Sequence, residues 1–343
     1  MSKRQWSVRK YQPGDLDAIQ ELFTVVFHST RPKEHFIWKF HDNPAGQGII
    51  VVAERSGQIV GQYALMPTRL RLGTDNVYGA QSLDTMTHPD YRNQGMFTVL
   101  AKTCIETAAS MGIEALYGFP NENSYHGFVD KLNWDHTGDI PRFVRVLNPT
   151  GITAMSRPMK YLTSLGLHLL PSGNNAAPLG IEIRSEKPTD EELLSLAELT
   201  ALGDMKGTCR IRRSLDWFKW RFDPKSQRSY VWFSAYCDGK LKAWAAFGTN
   251  DWGEIPLIDM CGSDGRALET VGSRATRRAK ELRLPALIAV TNDRGVAHAL
   301  KSCGYFRHGT EPLIVRSLTS RTLDGNIHLH SSWRISSQDV DTF

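Results

Sequence analysis

At 343 residues, with 41% hydrophobic and 22% charged content, the chain can bury ample core and is long enough for two domains of ordinary size. The formal net charge of +5 is mildly basic, but no run of five or more like charges and no zinc-ligand spacing occurs, which argues against nucleic acid and against a metal site. The start, MSKRQWSVRK, has no apolar stretch and no eighteen-residue apolar run follows, so a cytoplasmic protein without a membrane partner is expected.

Val8-Arg9, Pro13 and Asp15 open the chain and lead into a helical apolar rhythm. An aromatic helix, Phe36-Ile37-Trp38-Lys39-Phe40, comes next, and its spacing favours a core or interdomain role over ligand stacking. VVAERSGQIVGQYAL then reads as strand, glycine turn, strand. Val77 to Met86 reads as a strand ending at the His88-Pro89 turn, because a residue before proline is pushed away from helical geometry.

The next stretch, THPDYRNQGMFTVL, carries the most functional information. Met96, Val99, Leu100 and Cys104 form one apolar stripe, so a helix is expected from about Met96 to Ser110. The first amides of a helix have no intrahelical acceptor and the peptide dipoles leave positive charge there, so Arg92-x-x-Gly95 before it suits a phosphate. A strand (IEALYGF) and the polar loop Gly118 to Tyr125 follow, opening a further helix that ends at the Asn133-Trp134 turn.

Residues 148 to 180 are rich in turn formers around a short helical pattern through Met159, Leu162, Leu165 and Leu169, and are expected to pack between two domains. Beyond them the chain repeats itself. Phe218-Lys219-Trp220-Arg221-Phe222 matches FIWKF, and WFSAYCDGKLKAWAAF matches the first hairpin at the same offset. Ile183-Arg184, Pro188 and Asp190 match the opening segment, Asn292 matches Asn121, and Gly304-Tyr305 matches the Asn133-Trp134 turn. We read two copies of one α/β unit with a mixed sheet: residues 1–147, a connection over 148–180, and residues 181–343. The copies differ in one respect. Ile258-Asp259-Met260 stands where Leu83-Asp84-Thr85 does, but no Arg-x-x-Gly follows, so only the first copy is expected to hold a phosphorylated ligand while the second shapes a cleft. Five cysteines, an odd count without paired short spacing, fit reduced thiols in the core.

The Arg92-x-x-Gly95 passage resembles the pyrophosphate loop of the GNAT superfamily of N-acetyltransferases, with Phe97 a bulky departure at the last marked place. The resemblance implies two tandem GNAT-like domains and acyl-CoA as co-substrate. Its contacts would come from Arg92, Asn93, Gln94, Gly95, Met96, Phe97 and Thr98 for the pyrophosphate, Thr85, Met86 and Thr87 for the acyl carbonyl and pantetheine, and Asn121 or Asn123 for the pantetheine. As general base, Asp84, Glu122 and His126 are open, with His88 fitting a turn better. Tyr125 is a candidate acid, although a count back from Asn133-Trp134 puts Val129 at the family's acid position; an unassisted thiolate is the alternative. THPDYRNQGMFTVL followed by GFPNENSYHGF, with Asp339-x-Asp341 at the end, resembles tandem-domain enzymes that acylate nucleotide-linked (dTDP) amino-dideoxy sugars. A noncatalytic CoA or nucleotide-sugar binder, and acetylation of a protein or antibiotic amine, are the competing readings. The arginines of Arg210-Ile211-Arg212-Arg213, with Arg142 and Arg145, suit either a diphosphate or a solvated face.

Overall fold

The computed structural model describes residues 6–148, 179–202, 207–249, 256–321 and 326–340. The expected helix through Met159 to Leu169, and Asp341, lie outside them. In chain order the first half runs β1 (Ser7–Lys10), α1 (Leu16–Phe27), α2 (Lys33–Phe40), β2 (Ile49–Arg55), β3 (Gln58–Leu72), β4 (Asp75–Thr87), α3 (Met96–Ser110), β5 (Ala115–Gly118), α4 (Glu122–His126) and β6 (Asp135–Val146). The second runs β7 (Glu182–Arg184), α5 (Asp190–Leu202), β8 (Cys209–Ile211), α6 (Leu215–Arg221), β9 (Ser229–Cys237), β10 (Lys240–Thr249), β11 (Ile258–Gly262), α7 (Gly265–Glu281), β12 (Ala286–Val290), α8 (Arg294–Ser302) and β13 (Phe306–Ser317).

The repeated hairpins take the same shape for the same reason. Ser56-Gly57 and Asp238-Gly239 are two-residue turns with positive φ at both positions, the form whose twist matches the flanking strands. Helix α3 buries Met96, Leu100 and Cys104, as its stripe predicts, together with Ala101, Ile105 and Ala108. They pack on one face of the first sheet with Val51, Tyr63, Leu65 and Leu116, while α1 and α2 cover the other face over Ile50, Val52 and Met66.

The halves do not keep their strands apart. One sheet has the order β1-β2-β3-β4-β5-β13-β6-β12, with β8 added alongside β3, and the other the order β11-β10-β9-β7. The last strand of each half is exchanged: β13 pairs antiparallel with β5 and with β6, and β6 pairs with β12. A near two-fold contact marks the junction. The rings of Trp38 and Trp220, equivalent residues of the two aromatic repeats, stack with centroids 4.8 Å apart. Each indole donates to the other's main chain, Trp38 Nε1 to the Trp220 carbonyl at 2.7 Å and Trp220 Nε1 to the Trp38 carbonyl at 2.8 Å.

All five cysteines are free. Cys104, Cys209 and Cys303 are buried, and burial pushes the Cys209 thiol up to about 12 and Cys303 up to about 11. Cys261, partly exposed, still packs against the buried cluster of Leu196, Phe218 and Trp244, whereas Cys237 departs from the expected core placement because it ends β9 beside the Asp238-Gly239 turn. The arginines expected on a solvated face also divide. Arg145 is buried and donates to the Gly304 carbonyl, Arg142 pairs with Glu311, and Arg213 lies among Asp259, Asp339 and Ser336.

Candidate functional site

Helix α3 begins in the open. Gly95, its N-cap, has φ +76° and no side-chain cap, and a Cβ built on it would meet nothing within 4 Å. Arg92, Asn93, Gln94 and Gly95 are all exposed, and Asn93 also adopts positive φ, so the chain turns sharply and leaves the helix start facing solvent. The first helical bond of this turn is Val99 N–H to the Gly95 carbonyl, so the amides before it are directed outward. Trp6 Nε1 donates to the Gln94 side chain, tying the loop to the start of the chain. Met96 points into the core, where Gly61 leaves room for it, and Thr98 is half-buried. Phe97 does not crowd this surface: its ring packs against Gly127 and, edge-on at 5.2 Å, against Phe128. His88 accepts from Asp90 N–H and so caps the turn over Pro89–Tyr91.

Strands β4 and β5 run parallel only from Gly79–Ala115 to Ser82–Gly118, and then part. On the open stretch of β4, a bulge puts Asp84 at φ +48°; Met86 is buried, and Thr85 and Thr87 are half-buried. The Asp84 carboxylate is bracketed by Arg31 and by Lys39 Nζ at 3.8 Å, and the Asp84 carbonyl accepts from Gln62 Nε2 at 2.9 Å. Arg31 was invisible to sequence reasoning because 53 residues separate it from its partner. It stacks over Phe23, and its Nη2 is buried with no hydrogen-bond partner among the described residues.

The loop after β5 spends its polar groups partly on itself. Asn121 caps α4 by accepting from the Asn123 and Ser124 amides, both at 3.1 Å, while Glu122 and Asn123 are exposed. His126 is exposed and pairs with Asp130. The Tyr125 hydroxyl meets His136 Nδ1 at 3.0 Å, and His136 Nε2 meets Asp139 at 3.1 Å, a chain that sequence reasoning missed. His136 lies on β6, two strand positions beyond β5 and away from β4, so Tyr125 is turned from the gap where β4 and β5 part. Gly127–Lys131 forms a π-helical turn. Such a turn holds one more residue than an α-helical one, so a count through it shifts by one, from Val129 to Phe128. Phe128 is buried against Phe97 and Trp134, and neither residue can donate a proton.

On the opposite face of the sheet a cleft open to solvent lies between the halves. Its floor is Gln81 and Tyr117, one residue pair before β4 and β5 part. The Tyr117 hydroxyl contacts Gln81 Oε1 at 3.3 Å, while Gln81 Nε2, on a residue 1% exposed, has no hydrogen-bond partner among the described residues. Trp217 and Trp220 line the cleft. Arg69 and Arg212 sit at its rim, exposed and outside any ion pair among the described residues, with Asp216 also there.

The second half repeats this framework with the openings closed. Arg213 approaches Asp259 at 3.9 Å as Arg31 does Asp84, but α7 begins at Asp264, whose carboxylate accepts from the Ala267 amide at 2.8 Å. Burial raises Asp259 to about 6, against the pull of Arg213. No group of three or more His, Cys, Asp or Glu able to hold a metal ion occurs among the described residues, and no helix among them is long and apolar enough to cross a membrane.

Comparison with known proteins gives a consistent result. Residues 7–137 match the model of the acetyltransferase (GNAT) domain. No curated protein sequence matches significantly. Among solved structures, a GCN5-related N-acetyltransferase from Anabaena variabilis is similar at TM-score 0.62 and 11% identity, covering 92% of this chain and 73% of its own. Saccharomyces cerevisiae N-myristoyltransferase with bound myristoyl-CoA gives 0.66 and 13%, covering 92% and 79%. A tandem GNAT protein from the clavulanic acid biosynthesis pathway gives 0.64 and 13%, covering 92% of this chain and 100% of its own. Residues 7–137 thus match the acetyltransferase (GNAT) domain, and over 92% of its length the chain shares the mixed α/β fold of these three structures.

Proposed function

We propose that the protein is an acyl-CoA-dependent N-acyltransferase whose donor binds the first half and whose acceptor enters from the cleft between the halves. The observation that carries this reading is the open, uncapped start of α3 beside the gap between β4 and β5, with the cleft floor one residue pair away on the other face. An anion at Gly95 would be held by main-chain amides and the helix dipole, with Arg92 adding a charge. The acyl arm would then run into the gap, where main-chain amides at Thr85, Met86 and Thr87 receive the carbonyl oxygen.

Transfer is direct. The acceptor amine attacks the thioester carbon, negative charge collects on the carbonyl oxygen, and the C–S bond breaks to release CoA thiolate, with positioning supplying much of the rate. The thiolate leaves without a protein acid and is protonated by water, since its pKa near 8.5 makes it a tolerable leaving group. Of Asp84, Glu122 and His126, the amine's proton passes most directly to Asp84, which lies on the open segment of β4, whereas Glu122 and His126 are exposed on α4. The Asp84 ion pair with Arg31 must loosen for this step.

The acceptor we favour is a nucleotide-linked amino sugar. Arg69, stacked on Tyr78, and Arg212, both outside any ion pair among the described residues, suit a diphosphate at the rim, the indoles suit a planar base, and a cationic antibiotic would meet repulsion there. The noncatalytic reading, a CoA sensor, is supported by Phe128 and Val129 where a tyrosine acid would stand. Free-thiol release and product mass spectrometry with a panel of acyl-CoAs and amino-sugar nucleotides separate the two. Arg92→Glu should abolish acyl-CoA binding while the circular dichroism spectrum is kept; undiminished binding sinks the donor site.

A further inference from the structure

In the second half, the gap between its parallel strands is already filled. β11 and β12 approach at Leu257–Ile288 and then part, as β4 and β5 do after Ser82–Gly118. Into that gap comes Ser337 from the end of the chain. Its hydroxyl donates to the Ile258 carbonyl at 2.7 Å and accepts from the Val290 amide at 2.9 Å, so one side chain joins the two separated strands. Asn292, the repeat equivalent of Asn121, grips the same segment from both sides of its carboxamide. Its Nδ2 donates to the Trp333 carbonyl at 2.8 Å and its Oδ1 accepts from the Ile335 amide at 2.9 Å. The Asn121 carboxamide oxygen instead caps its own helix.

The segment then continues to the cleft. Gln338 and Asp339, both buried, line it. Gln338 Oε1 accepts from Arg221 on α6, and Asp339 pairs with Arg213 just ahead of that helix. Helix α6 also carries Trp217 and Trp220, the aromatic wall.

We infer that residues 333–340 are an internal ligand of the second half's strand gap, and that their docking there positions the α6 wall for acceptor recognition. This rests on the reading of the cleft as the acceptor site. Gln338 and Asn292 are positioning residues, and the first half's donor site is independent of them.

The full chain carrying Asn292→Ala tests this by three readouts. Hydrogen exchange at 333–338 and 213–221 should accelerate about tenfold or more, in line with the loss of two part-buried hydrogen bonds. Acyl-CoA affinity by calorimetry should stay within about twofold, and the KM for whichever amino-sugar nucleotide the wild type acylates should rise about tenfold with kcat nearly unchanged. Asn292→Asp, which keeps the acceptor for Ile335, should fall between, and Gln338→Ala should raise the acceptor KM without undocking 333–337. Unchanged exchange overturns the docking claim. Acyl-CoA affinity falling in step with acceptor KM overturns the positioning claim, because it would show general collapse. If the wild type acylates no member of the panel, the acceptor reading fails and with it the positioning claim, while the exchange experiment still decides whether the strand gap is held by this segment.

Discussion

Two helix starts, α3 and α7, occupy matching places in the two halves and differ in what their first amides meet. At α3 the N-cap is Gly95, with positive φ and empty space above it; at α7 it is Asp264, whose carboxylate already accepts from the Ala267 amide. An aspartate there supplies the negative charge that a phosphate would bring, so the same dipole is satisfied internally. The strand gaps differ in the same sense, since Ser337 bridges the one between β11 and β12. On the proposed reading of the first half as the donor side, the second half meets the same helix start and strand gap with hydrogen bonds from the chain itself, on an unaltered scaffold.

The largest effect should come from cutting the tie between the halves. Trp38→Ala removes a fully buried indole, its stack on Trp220 and one of two reciprocal hydrogen bonds, and leaves the Trp220 carbonyl without that donor. A loss of about 3–5 kcal/mol is expected from burial alone. Because β13 and β6 are exchanged, tryptophan fluorescence and circular dichroism should still report one coincident denaturant transition. Two separated transitions would mean that the halves fold independently.

Next comes Gly95→Asp, which transplants the second half's cap into the first. Aspartate tolerates positive φ at a cost of about 1 kcal/mol, so the fold should survive. Although its left-handed backbone differs from the extended Asp264, its carboxylate would stand beside the α3 amides and repel a diphosphate, lowering acyl-CoA affinity about a hundredfold, or roughly 2.7 kcal/mol. Calorimetric titration reads this directly, and affinity within threefold of wild type would remove the helix start from the donor site.

These contrasts were unequally visible in the amino-acid order. The α3 stripe, its end at Ser110, the Ser56-Gly57 and Asp238-Gly239 turns and the aromatic repeats are local patterns, and period and turn chemistry encode them within a few residues. The exchange of β6 and β13 was not legible, because a strand's alternation states which face is buried and not which neighbour it takes. The site divides likewise. Gly95 could be read because a helix start is sequential, while the Arg31–Asp84 pair, the Tyr125–His136–Asp139 chain and the Tyr117–Gln81 contact join residues that only the folded sheet brings together. Asn292 was found as a repeat partner of Asn121, but its grip on Trp333 and Ile335 has no sequence signature.

The paired aspartates sharpen the comparison at intermediate size. Asp84 is bracketed by two cations, whereas Asp259 is buried and its carboxyl rises from 3.8 to about 6. A raised folded pKa means that the folded state binds the proton more tightly, so stability conferred by protonation is present below about 4 and lost as pH rises through about 6. Asp259→Asn mimics the protonated form. It should stabilise the protein by about 1–2 kcal/mol at pH 7, part of the shift's roughly 3 kcal/mol being offset by weaker pairing with Arg213, and the gain should vanish near pH 4. A stability difference that does not change between pH 7 and pH 4 would show that burial of this charge carries no cost.

The smallest effect tests the reverse transplant. Asp264→Ala uncaps α7, which should cost about 1 kcal/mol in denaturant unfolding. If an open helix start were sufficient for donor binding, this variant would take up a second acyl-CoA. We expect the stoichiometry to stay at one, because the α7 start lacks an Arg-x-x-Gly turn and the gap beside it is still occupied by Ser337. Only the addition of Ser337→Gly and Asn292→Ala to the uncapped helix would free both the amides and the gap. A second binding event in that triple variant, and not in Asp264→Ala alone, would show that the chain's own end, more than the missing glycine, keeps the second half closed.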